Sequence, residues 1–203
     1  MYPFILWLIS NRYKLHKTQT NYNIKLDFLI AAYNEEKVIS WKIENTIKAL
    51  KKFKNAKIWI VSDGSTDRTN EIVKKYSSEN SIVNLIELKR SGKSQAINIA
   101  IKHLKGEYVI FSDANTLYSP TTVENLTAPF IDNTVGCTCG KLIYQNPDNV
   151  VSGKGESFYW KYENELKKLE SKIGYVSGAT GAVYSIRRKL FINMPKNNKY
   201  CCN

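Results

Sequence analysis

The sequence has no C-x-x-C pair, no internal repeat, no low-complexity segment and no opening apolar run long enough to cross a bilayer. Each absence removes a class of protein. The chain opens on MYPFILWLIS, ten residues, where a spanning helix needs about 20. That stretch also lacks the basic start and small-residue cleavage site of a secretory signal. The four cysteines are Cys137, Cys139, Cys201 and Cys202, with no His at ligand spacing from them. They read as reduced thiols of a cytoplasmic protein rather than as a zinc site. Acidic residues are in short supply, 18 against 30 Lys and Arg, for a formal net charge of +12. Such an excess suits nucleic acid, an anionic membrane surface or a phosphorylated substrate. The lysines are spread along the chain rather than gathered in an arm, so a diphosphate and an anionic inner leaflet explain the charge better than nucleic acid does.

What is present describes a folded protein. At 43% hydrophobic and 24% charged the composition is globular, and 203 residues suit one domain with a real core. The basic, aromatic NRYKLHK after the opening stretch is what the inner face of a membrane attracts. The opening therefore reads as the clipped end of a membrane helix, an interfacial anchor, or a helix packed on the domain.

Four apolar runs recur: LDFLIAAY (26–33), AKIWIVS (56–62), IVNLIEL (82–88) and YVIFSDA (108–114). Three are continuous, as in strands buried on both faces. Helical stripes lie between them: Ile39, Ile43, Ile47 and Leu50; then Ile72, Val73 and Tyr76; then Ala96, Ile97, Ala100, Ile101 and Leu104. Strand alternating with helix predicts an α/β fold with a mostly parallel sheet flanked by helices and right-handed crossovers. Beyond residue 118 the pattern predicts a helix over SPTTVENLTAPFI, a strand over VGCTCGKLIY, a helix over ESFYWKYENELKKLES with a Glu163–Lys167 pair, and glycine-punctuated strand and loop over YVSGATGAVYSIRRKLF. Trp41, Trp59 and Trp160 fall within these elements and read as core.

Parallel sheets bind ligands beyond the carboxyl ends of their strands. Here those ends carry AAYNEE, SDGSTDRT, KRSGKSQA and SDANT. Asp63 precedes Gly64, which permits a tight turn, and Ser65 or Thr66 is placed to cap the next helix. Gly92-Lys93-Ser94 opens a helix, so amide N–H groups and an ammonium meet where a diphosphate could sit. It is not a P-loop, because the position that would need glycine, 87, is Glu. Asp113 and Asn115 stand where the last buried run meets solvent, as a turn or as a ligand set would. Arg187-Arg188 suits either a phosphate or acceptor contact or a solvated helix start.

LIAAYNEEKVI, VSDGSTDRT, GKSQAINIAI and FSDANT, in this order and spacing, resemble the inverting family 2 glycosyltransferases of GT-A fold. The resemblance continues through VGCTCGKLIY, ESFYWKYENELKKLES and SGATGAVYSIRRKLF, covers roughly residues 24–192, and is greatest for membrane-bound members that build polysaccharides. It implies transfer of a sugar, with inversion, from a nucleotide-diphosphate sugar, UDP-linked, to a glycan or lipid-linked acceptor. Ala32, Tyr33 and Glu35 would then line the nucleoside pocket, Asp63 would accept a hydrogen bond from the base, and Lys93 would lie near the diphosphate. Asp113 and Asn115 match the family's Asp-X-Asp and would hold Mg²⁺ or Mn²⁺. With Asn115 in place of the second acid, weaker metal binding is expected. Gly178 and Ala179 match the segment near the acceptor. Residues 1–23 would be membrane-proximal, 24–118 the nucleotide-sugar-binding half and 119–203 an acceptor-side half, at the cytoplasmic face of the membrane. The family's general base has no match, since no Asp or Glu follows Glu170. The resemblance therefore predicts a truncated transferase that binds donor without transferring sugar, with a non-catalytic remnant or an interaction module as the alternative.

Overall fold

The computed structural model describes residues 2–11, 19–140, 153–175, 178 and 182–195. Their contacts form two compact units, Met1–Thr18 with Lys141–Thr180, and Gln19–Gly140 with Gly181–Asn203.

The larger unit is a six-stranded sheet. Its parallel part comprises β1 (Lys25–Ala32), β2 (Asn55–Asp63), β3 (Val83–Leu88) and β4 (Tyr108–Asp113). The short β5 (Cys137–Cys139) and β6 (Val183–Arg187) complete it, in the order β3-β2-β1-β4-β6-β5. β6 runs antiparallel to β4 and to β5. The four apolar runs thus become the four parallel strands. In the smaller unit the helices Tyr2–Ser10 and Gly153–Lys172, far apart in sequence, touch.

In chain order the helices are α1 (Tyr2–Ser10), α2 (Ile39–Leu50), α3 (Thr69–Glu79), α4 (Lys93–Ala100), α5 (Thr122–Thr127) and α6 (Gly153–Lys172). Period-2 alternation along β1 sends Leu26, Phe28, Ile30 and Ala32 into one core with Ile39, Ile43 and Leu50 of α2 and Val73 of α3. Leu29 faces the other way, into a second core with Ala96, Ile97 and Ala100 of α4 and Val109 and Phe111 of β4. Ile101 and Leu104, predicted to continue the α4 stripe, are buried in the turns after it. Covered on both faces, the parallel strands are continuously apolar.

One buried acid organises the amino-terminal edge of this sheet. Asp27 is buried and accepts hydrogen bonds from Trp59 Nε1 (2.9 Å), from Lys105 N (2.8 Å) and from Gly106 N. A Cβ at Gly106 would lie 2.7 Å from Asp27 N, so only glycine permits this approach. Trp59 is half-buried as a result, and Trp41 is half-buried too, rather than core; the Trp160 side chain lies outside the described residues.

Three other expectations change. α5 begins two residues after Pro120, and a separate 3-10 helix, Ala128–Ile131, follows it. The strand expected over VGCTCGKLIY is only Cys137–Cys139 among the described residues. Ser65 and Thr66 do not cap α3, which starts at Thr69; Asp67 Oδ1 instead accepts from Thr69 N (3.0 Å) and Thr69 Oγ1 (2.6 Å).

In the smaller unit Leu6 and Ser10 of α1 are buried and Trp7, Leu8 and Ile9 are about half exposed. On α6 the Glu163–Lys167 pair forms at 2.7 Å, while Tyr162 is exposed and Glu170 is buried. No helix among the described residues is long and apolar enough to cross a membrane.

Candidate functional site

The carboxyl ends of β1, β2 and β4 and the start of α4 share one rim, because parallel strands end on the same side. The β1–α2 and β2–α3 loops are stitched together there. Asn34, at φ 55°, donates its N–H to Ser65 Oγ (3.1 Å), and its side-chain oxygen accepts from Thr66 N (2.8 Å). Asparagine is among the few residues that tolerate this backbone. Glu35 N donates to Thr69 Oγ1 (2.8 Å), Glu36 N to Asp67 Oδ2 (3.0 Å), and Arg68 N to Glu36 Oε2 (3.1 Å). Ser65 and Thr66, placed by the sequence as caps, serve this cross-link.

Asp63 is 2% exposed. Its two oxygens accept from Arg90 Nη1 (2.5 Å), Ser91 N (2.7 Å), Ser91 Oγ (3.1 Å) and Gly92 N (2.9 Å). The carboxylate thus fixes the turn that launches α4. Gly64 follows at φ 73°, and a Cβ there would sit 2.7 Å from Arg90 N. The guanidinium of Arg90 also lies 3.5 Å over the ring of Tyr33, which is 43% exposed. Ala32 is buried in the core, so it offers the rim only its backbone.

At the end of β4, Lys93 Nζ sits 2.5 Å from Asp113 Oδ1, both side chains about one-third exposed. Asn115 is exposed, and Ala114 between them is buried. Glu35 is held above the usual carboxylate range, first by its own desolvation and then by repulsion from Asp113 and Asp67. The rim therefore concentrates negative charge around one carboxylate that already attracts a cation. No group of three or more His, Cys, Asp and Glu that could hold a metal occurs among the described residues. One carboxylate and one carboxamide nevertheless suit Mg²⁺ or Mn²⁺, which is commonly held through one or two carboxylates plus substrate phosphates.

Beneath this loop lies a residue that the sequence did not flag. Lys42 of α2 is fully buried. Its Nζ donates to Ser112 Oγ (2.9 Å) and Thr116 O (2.7 Å), meets the Tyr118 hydroxyl, and lies 3.9 Å over the Tyr118 ring. Burial pulls its pKa down to about 6, against a smaller opposing pull from Asp113. The signal was available. Ile39, Lys42, Ile43, Thr46 and Leu50 are all buried, and the lysine sits at i+3 within that stripe.

Arg187 is neither a phosphate contact nor a solvated residue. It is buried, and donates to Val135 O (2.8 Å), Tyr108 OH (2.9 Å), Phe130 O (2.9 Å) and Asp132 O (3.0 Å), pinning the segment around the 3-10 helix to the sheet. Arg188 donates to Gly106 O (2.8 Å). Gly178 belongs to the smaller unit and is exposed; Ala179 lies outside the described residues.

Proteins of known identity resemble this chain. Poly-beta-1,6-N-acetyl-D-glucosamine synthase of Staphylococcus aureus strain COL is 23% identical over 198 residues, covering 91% of this chain. The chain spans about half the length of that relative, 47%. Among solved structures, the mannosyltransferase PcManGT of Pyrobaculum calidifontis, in complex with GDP-Man and Mn²⁺, matches with a TM-score of 0.72 and 24% identity, over 93% of this chain and 52% of its own. The TarS 1–349 structure of S. aureus with UDP-GlcNAc matches at 0.51 and 27% identity, over 63% of this chain and 37% of its own. The profile of Glycosyl transferase family 2 matches residues 27–194. With its sheet order, its rim and this match in hand, the chain belongs to glycosyl transferase family 2.

Proposed function

We propose that this chain binds a UDP-linked sugar with Mg²⁺ or Mn²⁺ and forms the donor-binding part of an inverting glycosyltransferase. The transfer would go to a glycan or lipid-linked acceptor at the cytoplasmic face of a membrane. The observation that carries the proposal is the Lys93–Asp113 pair at 2.5 Å, set at the meeting of a helix start and a strand end. There an ammonium and helix N–H groups can take phosphate oxygens, and a carboxylate can take a cation.

Each residue then has a task. Tyr33 offers an exposed ring for a base, backed by Arg90 on its other side. Asp63 holds the β3–α4 turn so that Ser91, Gly92 and Lys93 keep their places. Lys93 exchanges its partner Asp113 for a phosphate, which frees Asp113, with Asn115, for the cation. Asp113 and Asn115 would hold a divalent ion there, and its positive charge would offset the negative charge that grows on a departing nucleoside diphosphate. Inverting transfer also needs a general base. Residues 171–203 contain no Asp or Glu, so the proposal assigns this chain the donor half of the reaction and no base. Solved relatives in complex with GDP-Man and Mn²⁺ and with UDP-GlcNAc support a nucleotide-sugar donor. For the membrane, the support is the half-exposed Trp7, Leu8 and Ile9 of α1 and the net charge of +12.

Calorimetric titration of UDP, with GDP in parallel, each with and without Mn²⁺, tests the proposal. UDP binding that Mn²⁺ strengthens, and that Asp113→Ala leaves without the Mn²⁺ gain, is the expected result. Tighter binding of GDP would reassign the base. No binding of either nucleotide would refute the donor site and favour an interaction module.

A further inference from the structure

The loop that carries Asp113 and Asn115 does little to hold itself. Its own backbone contributes one long hydrogen bond, Thr116 N to Asp113 O at 3.4 Å. Rigidity comes from α2 below. Lys42 Nζ bonds Ser112, the residue before Asp113, and Thr116, the residue after Asn115. One amine thereby closes the loop across its two flanks. Asn45, nearly one turn along the same helix, takes Tyr118 by its backbone. Asn45 Oδ1 accepts from Tyr118 N at 3.0 Å, and Asn45 Nδ2 donates to Tyr118 O at 3.3 Å. Ser112 Oγ in turn donates to Ala182 O (3.0 Å), so the clamp is anchored to the segment that leads into β6.

An amine in this position is costly. Lysine is almost never fully buried unless paired, and a buried amine exacts a desolvation cost that an aliphatic side chain would avoid. Its acceptors here are a serine hydroxyl, a backbone carbonyl and a tyrosine hydroxyl. A leucine or methionine at 42 would fill the same space and leave the Thr116 carbonyl without that donor. What the lysine adds is geometry at the loop.

We propose that Lys42 and Asn45 are positioning residues: they clamp residues 112–118 so that Asp113 and Asn115 are presented together to a divalent cation. The metal part rests on the donor-site reading above; the clamp itself does not. Groups that orient metal ligands without touching the metal commonly set its affinity.

Two measurements on the full chain separate the parts. The first needs no ligand: amide hydrogen exchange over residues 113–117 in Lys42→Met, which keeps the stem and removes the amine. Exchange there should run roughly ten-fold faster, with β1 to β3 unchanged, as for a lost local hydrogen bond. Wild-type exchange rates would overturn the clamp. The second is UDP affinity with and without Mn²⁺. In Lys42→Met the Mn²⁺-dependent gain should fall roughly 10- to 100-fold, while metal-free affinity for UDP is kept. A purely structural role would lower both together, and an undiminished Mn²⁺ gain would refute presentation. Asn45→Ala, at a half-buried position, should move both readouts the same way by less, and it carries the test if Lys42→Met does not fold. If wild type shows no Mn²⁺-dependent gain, the donor-site reading and the metal part fall together, and exchange alone decides the clamp.

Discussion

The weight that Asp63 bears is out of proportion to its size. Its carboxylate gathers four donors from Arg90, Ser91 and Gly92, and two of them are the backbone amides that set the turn into α4. Its ionic partner is different, since the Arg90 side chain is 54% exposed. The two ends of one salt bridge should therefore give unequal mutants. Asp63→Ala should lose about 3 kcal/mol in denaturant unfolding, because two backbone amides and a hydroxyl lose their charged acceptor. Arg90→Ala should lose about 1 kcal/mol or less, as for exposed pairs. Equal losses would mean that the ion pair, and not the amide cradle, is what matters. The same contrast explains what sequence reading misses at this scale. Asp63 was visible because it ends an apolar run beside a glycine. Lys42 and Asp27 were not, and Arg187 was given a phosphate or solvent role, because charge is ordinarily read as exposure. Each is buried by partners distant in sequence, Thr116, Gly106 and Phe130 among them.

Whole elements were easier to read than their ends. The parallel strands are enclosed by helices on both faces, so their composition alone gives them away. α2 to α4 followed from stripes at helical spacing. β5 and β6 were harder: β6 alternates buried and half-buried over five residues and β5 is three residues long, too short for a period to register. Helix starts were misjudged where loops bond to other loops, as at Ser65 and Thr66. The two glycines that bracket the β2 and β3 ends should respond differently for reasons visible in the backbone. Gly92 has φ 90° with no atom within 4 Å of the point a Cβ would occupy, whereas at Gly64 that point falls 2.7 Å from Arg90 N. Gly92→Ala should therefore cost only the conformational strain of that extended positive-φ backbone, about 2 kcal/mol. Gly64→Ala adds a backbone collision and should cost roughly 3 kcal/mol or abolish soluble expression. Thermal melts of the two variants side by side check this. A Gly92 variant as damaged as the Gly64 one would show that the turn, not the close approach to Arg90, is limiting.

At the scale of the molecule, the excess of positive charge and the apolar face of α1 make separable contributions. The net charge of +12 draws the protein toward any anionic surface, and that attraction is screened within about 10 Å at 0.1 M salt and about 3 Å at 1 M. Trp7, Leu8 and Ile9, each about half exposed on a nine-residue helix, can bury apolar area in an interface, which salt does not weaken. Co-sedimentation with vesicles can tell the two apart. Wild type should bind vesicles rich in anionic lipid more than neutral ones, and lose most of that preference at 1 M salt while keeping residual binding. Trp7→Ser with Leu8→Ser should retain the salt-sensitive part and lose the binding that survives high salt. Because α1 lies in the smaller unit and the rim proposed to bind nucleotide in the larger, the same double variant should bind UDP as wild type does. Loss of both activities together would mean that α1 supports the fold rather than a surface, and the membrane-facing role would have to be abandoned.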